Sequence, residues 1–295
     1  MYDDSSYFTD ADQLGTDKGL GDRDGDAVQQ ALSLISAFAK RKGASFWPHL
    51  TRATVARDIT LRLQNPDSMD QGQTWLCGIA SFVRTWIFDY PVEYATLAIN
   101  LFEGGFGSMT GQRVYGGRVI TPSKGLLTST VGHGVAQGDW IILASIRENL
   151  NDVFDDTADE GIFRMKAWNF PSDVVHEFKA LGYTKVVNTA NGISTSGYNN
   201  LMDASSKYDE GWRVILLINS RLLQDPIPTA PLVNTSNHWI GLNQSITVNT
   251  FSDANMVYPF EVYSWNGLYT VPSTNQPIPL KTLSSCYFGY VAGRY

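Results

Sequence analysis

The segment from Met69 to Phe88 reads MDQGQTWLCGIASFVRTWIF, and its pattern decides how the rest of the chain is interpreted. Its second half places apolar side chains on one stripe at helical spacing: Ile79, Phe82, Val83, Trp86 and Ile87. The stripe predicts a buried helix that begins at Cys77. At a helix N-terminus the unpaired backbone N–H groups and the helix dipole lower the pKa of a thiol and favour the reactive thiolate.

Cys77 is one of two cysteines in a chain of 295 residues, and the other is Cys286. Two cysteines cannot form a disulfide framework, and a chain with 43% hydrophobic residues buries a sizeable core without one. A free cysteine among apolar residues is most often part of the core, and we interpret Cys286 in that way. Gln71-Gly72 before Cys77 and Gly78 after it favour a functional thiol at Cys77.

Composition and charge exclude several classes of function. The formal net charge is -7, from 22 Lys and Arg against 29 Asp and Glu, so the chain lacks the basic field that nucleic acids or anionic membranes attract. No run approaches the roughly 18 apolar residues needed to span a bilayer. No Cys/His cluster has metal-ligand spacing and no Gly-rich loop has a phosphate-binding form, so we expect neither a metal nor a cofactor.

The order of the predicted elements indicates an α+β fold, with helices first and strands after them. Besides the helix at Cys77, helices are predicted at about 27–42, 51–63, 92–102, 139–149 and 172–181. Strands are predicted at 212–218, 238–242, 246–250, 260–265 and 286–292. Turn residues join these strands, which favours an antiparallel sheet packed against the helical part.

The N-terminal segment differs in composition from the rest of the chain. Residues 1–26 contain eight Asp and little apolar content, which is typical of a flexible acidic leader. Residues 27–295 are predicted to form one domain, with a helical half at about 27–208 and a sheet half at about 209–295. The N-terminus lacks the basic and apolar regions of a secretory signal, so we expect any export to use another route.

A nucleophilic thiolate needs a base, and four histidines compete for that role. His49 precedes a helix, His133 lies in a loop between glycines, and His176 falls in the middle of an amphipathic helix. His238 begins a predicted strand and is followed by Trp239, which favours His238 because an aromatic neighbour shields a site from water.

The residues around Cys77 and around His238 resemble segments of the papain-like cysteine peptidases. Gln71-Gly72 followed by Cys77-Gly78 is similar to the signature around the family's nucleophile, and the His238 block is similar to its His-bearing strand. The resemblance implies a papain-like fold in which Cys77 is the nucleophile and His238 its base. It also implies that Gln71 donates its side-chain amide to an oxyanion hole. Gln73 is a weaker oxyanion candidate.

The third catalytic position departs from the papain-like pattern. The family has an Asn-Ser-Trp-Gly block, to which the segment Tyr263-Ser264-Trp265-Asn266-Gly267 is similar. When Trp265 is aligned with the family's Trp, the Asn position falls on Tyr263, which cannot orient an imidazole in the usual way. Ser264 and Asn266 are expected to share one face of the strand, and either can reach the far nitrogen of His238. Two residues of the preceding loop stay open as well: Asp253 and Asn255.

A closer resemblance is to a papain-like domain of bacterial antibacterial toxins, including type VI secretion effectors. It covers roughly Asp70 to Pro272 and is carried by the Gln71–Gly78 block, Asp89-Tyr90-Pro91-x-x-Tyr94, Asp139-Trp140, Ser145-Ile146-Arg147-Glu148-Asn149, His238-Trp239 and the segment ending at Pro272. The resemblance implies a protein made in the bacterial cytoplasm, secreted without a signal peptide and delivered into a target cell. It also implies a cognate immunity protein that blocks the cleft.

The expected activity is hydrolysis of amide bonds through a thioacyl intermediate, on a protein or on the peptide part of peptidoglycan. Glutamine deamidation or transglutamination on the same core is an alternative, since only the entering and leaving groups differ. A catalytically dead papain-like binding module is a second alternative, because the third catalytic residue departs from the family pattern.

Overall fold

The computed structural model describes residues 24–72, 74, 76–111, 118–128, 134–150, 170–224, 227, 236–250 and 255–295. Over these residues the fold is α+β, with antiparallel sheets and with helices that mostly precede the strands, which confirms the α+β part of the predicted fold class. None of the helices in these ranges is long and apolar enough to cross a membrane.

The helices follow the apolar periodicity of the sequence and end at recognisable signals. The Asp24 carboxylate caps α1 by accepting hydrogen bonds from the N–H groups of Asp26 and Ala27, both at 3.1 Å. The residue after α4 is Gly105, which has a φ of 70°. The bounds are α1 Gly25–Ala39, α2 Arg52–Gln64, α3 Cys77–Asp89, α4 Pro91–Gly104, α5 Lys124–Thr128, α6 Gln137–Leu150, α7 Pro171–Ala180, α8 Tyr198–Asp209 and α9 Leu280–Ser284.

The strands form one large and two small antiparallel sheets. Their bounds are β1 Gly107–Met109, β2 Arg118–Ile120, β3 Lys185–Asn188, β4 Arg213–Ile218, β5 His238–Leu242, β6 Val248–Asn249, β7 Met256–Val257, β8 Phe260–Ser264, β9 Gly267–Val271, β10 Ile278–Pro279 and β11 Tyr287–Arg294. The large sheet has six strands in the order β3-β11-β4-β5-β8-β9, and the small sheets are β1-β2 and β10-β7-β6.

The large sheet has an apolar core on each face. Alternation along β4 sends Ile215 and Leu217 to a first core, which contains the side chains of α3, and Leu216 to a second core, which contains Leu201 of α8. α3 lies across β4, β5 and β8 on the first-core face. The Ser81 hydroxyl of α3 donates to the Trp239 carbonyl of β5 at 3.3 Å. The helix that begins at Cys77 therefore packs directly on the strand that begins at His238.

A bulge in β11 interrupts the alternation of its side chains. Tyr287 and Phe288 face the second and first cores, and Tyr290 and Val291 again face the second and first. The register with β4 shifts between Tyr287 and Tyr290, around Gly289 with a φ of 100°. A Cβ at Gly289 would lie 2.4 Å from the Thr189 carbonyl oxygen, so only glycine fits.

Two boundaries differ from the sequence prediction. The helix predicted at about 27–42 begins two residues earlier, at Gly25, and Asp24 of the predicted leader caps it; residues 1–23 lie outside the described ranges. The predicted helical half also contains strands β1, β2 and β3. β3 pairs with β11 of the predicted sheet half, so the two halves share one sheet.

Candidate active site

Cys77 lies at the first position of α3, where the sequence predicts it. The preceding residue, Leu76, provides no side-chain cap, so the first N–H groups of the helix are not taken up by a capping side chain. Only 6% of Cys77 is exposed. Burial raises the pKa of the thiol to about 11, and the backbone N–H groups of Trp239, Gly78 and Cys77 itself oppose this rise. At neutral pH the resting side chain is therefore a protonated thiol.

His238 is the first residue of β5 and is almost fully buried, with 4% exposed. Its Nε2 lies 2.7 Å from the hydroxyl oxygen of Ser264. Burial lowers the pKa of His238 to about 4, so the imidazole is neutral at pH 7. Since Nε2 is hydrogen-bonded to Ser264, Nδ1 is the nitrogen left to exchange a proton with a substrate or a thiol.

Ser264 is the last residue of β8, the neighbour of β5, and is completely buried. Among the orienting residues left open by the sequence, the structure places Ser264 against His238. The expectation that Asn266 shares its strand face is wrong. Ser264 pairs with Gly267 across a two-residue turn, and Asn266 is the second, exposed residue of that turn. The alternation of a strand does not continue through a hairpin turn.

Trp265, the first residue of the same turn, stacks on His238. The two ring centroids are 4.7 Å apart and the planes differ by 24°. Trp265 has a φ of 49°, a conformation that is a genuine outlier for a bulky side chain and is typically retained at functional sites. An indole face attracts a cation, so the stack favours an imidazolium at the moment when His238 accepts a proton.

Trp239 is the residue through which β5 contacts the Cys77 thiol. The Trp239 N–H faces Cys77 Sγ, and Trp239 directly follows His238 in β5. Within the described part of the chain no hydrogen bond joins Cys77 to His238. At rest the Cys77 side chain is thus a neutral thiol and the His238 side chain a neutral imidazole. Catalytic hydrogen bonds are often long in unliganded sites and shorten when substrate binds.

Gln71 lies in the loop that leads into α3 and has 3% of its surface exposed. Its Oε1 is buried and has no hydrogen-bond partner among the residues that the structure describes. The following residue, Gly72, has a φ of 58°, which glycine adopts without strain, and its N–H donates to the Asp70 carboxylate at 2.8 Å. The Gln71 carbonyl accepts hydrogen bonds from Thr74 through its N–H at 3.2 Å and its hydroxyl at 2.6 Å. The loop is therefore ordered by its own polar groups.

A buried ion pair anchors this loop to the helices behind it. Arg62 of α2 donates to the Asp139 carboxylate of α6, with Nη2 at 2.5 Å from Oδ2. The same Oδ2 accepts the N–H of Asp70 at 3.1 Å. Burial raises the pKa of Asp139 to about 6, and the Arg62 guanidinium opposes this rise. The sequence singled out Asp139 only as part of a resemblance and did not reveal this supporting role.

The other residues considered from sequence lie elsewhere. His49, His176 and Asn255 are exposed, and Asn255 immediately precedes β7, while Cys286 lies in the turn before β11. Three further candidates lie outside the described ranges: Gln73, His133 and Asp253. In the described part of the chain no three His, Cys, Asp or Glu side chains are grouped so that they could hold a metal ion.

Comparisons of the chain with family models, with curated proteins and with solved structures found no match. The geometry and chemistry of Cys77, His238, Ser264 and Gln71 therefore carry the functional argument.

Proposed function

We propose that the chain is a cysteine hydrolase that cleaves amide bonds, with Cys77 as nucleophile and His238 as base. One observation carries the proposal. The His238–Ser264 hydrogen bond, 2.7 Å long, lies beside the stacked Trp265 ring, and the next amide of the same strand faces Cys77 Sγ. A thiol at a helix N-terminus, a histidine on the strand that contacts this thiol and a third group that orients the histidine are the components that nucleophilic catalysis uses.

The proposed reaction has two halves. His238 Nδ1 accepts the thiol proton as Sγ bonds to the carbonyl carbon of the substrate amide, while the Ser264 hydroxyl accepts a hydrogen bond from Nε2–H and holds the ring. The C–N bond then breaks, and His238 protonates the leaving amine. Water next attacks the thioacyl carbon and gives a proton to His238, and this proton returns to Sγ as the carboxylic acid leaves.

The negative charge that develops on the substrate oxygen needs donors. In the proposal these are the backbone N–H of Cys77 at the start of α3 and the side-chain amide of Gln71. Each such donor contributes about 3 kcal/mol to the stability of the transition state in comparable sites. The ion pair of Arg62 and Asp139 keeps the loop of Gln71 in place.

A thiol probe tests the nucleophile without knowledge of the substrate. Iodoacetamide is added at pH 7, and peptide mapping by mass spectrometry measures the modification of Cys77 and Cys286 separately. We expect Cys77 to react faster than Cys286, and His238→Ala to remove that advantage. His176→Ala is the matched control, because His176 is exposed on α7. Equal reaction of Cys77 in wild type and His238→Ala would contradict the proposal.

Substrate class is tested with two mixtures, purified peptidoglycan and cytosolic bacterial proteins. Mass spectrometry distinguishes a new chain end, which indicates hydrolysis, from conversion of glutamine to glutamate or to a cross-link. Either of the latter would assign the chain to the deamidase or transglutaminase alternative. Product formation that is unchanged in Cys77→Ala would exclude a thiol mechanism.

The antibacterial role belongs to the same proposal and rests on the sequence resemblance alone. We expect expression of the chain in a bacterium to arrest growth, either in the cytoplasm or after export to the periplasm, according to where the substrate lies. Cys77→Ala at the same level is the control. Growth arrest that persists in Cys77→Ala would separate toxicity from hydrolysis. An immunity protein, the expected partner, would relieve the arrest on co-expression.

One observation favours a second candidate, an inactive binding module. Both groups of the pair are buried and neutral at rest, with the pKa of Cys77 raised to about 11 and that of His238 lowered to about 4. A cysteine that belongs only to the core behaves in this way. Such a thiol reacts only as the pH approaches 11 and does so independently of His238, so the pH dependence of the iodoacetamide reaction distinguishes the two candidates.

A further inference from the structure

Tyr263 hydrogen-bonds to both parts of the proposed site, although to neither Cys77 nor His238 itself. It lies in β8 directly before Ser264 and has 1% of its surface exposed. Its side chain points to the first core, on the α3 side of the sheet. The Arg84 guanidinium of α3 lies over its ring, 5.0 Å from the centroid. The ring is therefore fixed between the sheet and the nucleophile helix.

The Tyr263 hydroxyl donates toward two backbone carbonyls. One belongs to Met69, at 2.7 Å, and the other to Trp265, at 3.1 Å. A phenol has one proton, so the two carbonyls share it as a three-centre hydrogen bond. Burial raises the pKa of Tyr263 well above its usual value, so the donor keeps its proton throughout the working pH range.

The two carbonyls belong to the two halves of the site. Met69 lies two residues before Gln71, in the loop that leads to Cys77. Trp265 is the turn residue with a φ of 49° whose ring stacks on His238. One buried proton thus connects the segment that carries the nucleophile and the proposed oxyanion donor to the segment that carries the base and its orienter.

We propose that Tyr263 is a positioning residue, whose hydroxyl sets the placement of the Gln71–Cys77 segment relative to the His238–Trp265 stack. This inference rests on the proposed function, because it concerns the same thiol and base. Loss of the hydroxyl leaves both carbonyls without their shared donor and frees the loop and the turn to shift independently. A displacement of about 1 Å between reacting groups costs up to about a hundredfold in rate.

Tyr263→Phe tests the inference, because it removes the hydroxyl and keeps the ring under Arg84. The matched control is Tyr287→Phe: Tyr287 is also 1% exposed, and its hydroxyl donates to Asn200 Oδ1 at 2.6 Å in the second core. The readout is the rate of Cys77 modification by iodoacetamide across pH 5–10, measured in wild type, both variants and His238→Ala. Thermal unfolding of each variant is measured in parallel.

We expect Tyr263→Phe to lower the Cys77 rate near pH 7 by about tenfold or more, and its pH profile to approach that of His238→Ala. Tyr287→Phe should keep the wild-type profile even where its loss of thermal stability is equal. A wild-type profile in Tyr263→Phe, with a clear effect of His238→Ala, would overturn the positioning role and leave the proposed function intact. A wild-type profile that already equals that of His238→Ala would instead overturn the proposed function.

A second variant covers the case in which Tyr263→Phe does not fold. Site-specific incorporation of 3,5-difluorotyrosine at position 263 keeps the ring and the hydroxyl but makes the hydroxyl a stronger donor. We expect this substitution to change the His238-dependent part of the Cys77 rate. A rate equal to that of the wild type at every pH would overturn the inference.

Discussion

Cys77 and Cys286 expose the same fraction of their surface to solvent but lie in different chemical surroundings. Each has 6% of its surface exposed, and burial is the largest influence that raises the pKa of either thiol. Cys77 begins α3 and faces the N–H groups of that helix and of Trp239. Cys286 lies in the turn between α9 and β11, with Sγ 3.8 Å from the Ser285 hydroxyl. Burial therefore does not identify the functional thiol, whereas its neighbours do.

The comparison also indicates when activation takes place. Even three backbone N–H groups do not compensate for the burial of Cys77, whose pKa stays raised at about 11. A helix N-terminus alone is thus insufficient to stabilise a resting thiolate at a site buried away from solvent. In the proposed mechanism the thiolate forms during the attack itself, as His238 takes the proton.

The largest expected effect separates the two thiols by activity. We expect Cys77→Ala to lower the hydrolysis rate by about a thousandfold or more, because the covalent intermediate cannot form. Cys286→Ala should retain close to the full rate. Both are measured on the substrate identified by the mass-spectrometric screen, with circular dichroism to verify folding. Comparable losses in both variants would mean that the two positions do not differ in function.

The second effect concerns Gln71, which lies in the loop before Cys77. Gln71→Ala should lower kcat by about a hundredfold, leaving a measurable remnant from the Cys77 N–H donor, and should change KM little. Gln71→Glu is the matched variant. It keeps the length of the side chain but replaces the amide donor by a carboxylate, so its loss should be at least as large. An unchanged kcat in Gln71→Ala would remove Gln71 from the oxyanion hole.

The third effect is on stability and concerns the partner of Cys77. The folded protein holds the pKa of His238 at about 4, so between pH 6.5 and 4 the unfolded chain binds a proton that the folded chain excludes. The contribution of His238 to the free energy of unfolding is therefore fully present above pH 6.5. It falls by up to about 3 kcal/mol as the pH drops to 4.

His238→Gln should abolish that pH-dependent loss, whereas the exposed His176→Gln should not. The comparison is made as a difference from wild type, by urea unfolding at each pH. The difference is needed because other buried groups also make stability depend on pH. The pKa values of Asp139 and Glu177 are raised to about 6 and about 8, so their contribution to the free energy of unfolding falls as the pH rises. A parallel pH dependence in His238→Gln and wild type would contradict the buried, neutral imidazole.

The smallest effect is that of core packing at Cys286. Cys286→Ala should lower the free energy of unfolding by about 1 kcal/mol, since it leaves a small cavity beside Leu283 and Tyr287. Cys286→Val, which fills the space without a thiol, should recover most of this loss. Urea unfolding at pH 7 measures both. A loss of activity in Cys286→Val at unchanged stability would indicate a chemical role for this thiol.

Local patterns predicted the two ends of the site well. α3 begins at Cys77 and β5 spans His238–Leu242, as the sequence indicates, because apolar periodicity and short apolar runs are properties of the segment itself. The choice of Ser264 or Asn266 as orienter could not be made in this way. It depends on where β8 turns back into β9, and that register is set by pairing with residues beyond the turn.

Supporting contacts between distant segments could not be predicted at all. The hydrogen bonds of Tyr263 to Met69 and of Asp139 to Asp70 join residues far apart in the chain. In the sequence, Tyr263 was notable only because it falls at the position where the papain-like pattern has Asn. Its buried hydroxyl gains a role only once α3 and β8 are packed together. β3 was missed for the same reason, since its four residues form a strand only beside β11.

The bulge at Gly289 has a consequence for how the chain can vary. Without it, a regular alternation after Tyr287 would exchange the faces of Tyr290 and Val291 and place each in the wrong core. Insertion of a further residue beside the bulge therefore repacks both sides of the sheet at once, whereas deletion of Gly289 itself leaves a regular strand in which Tyr290 and Val291 keep their present cores. Natural variants of this strand should therefore tolerate loss of the bulge residue but almost never a gain in length.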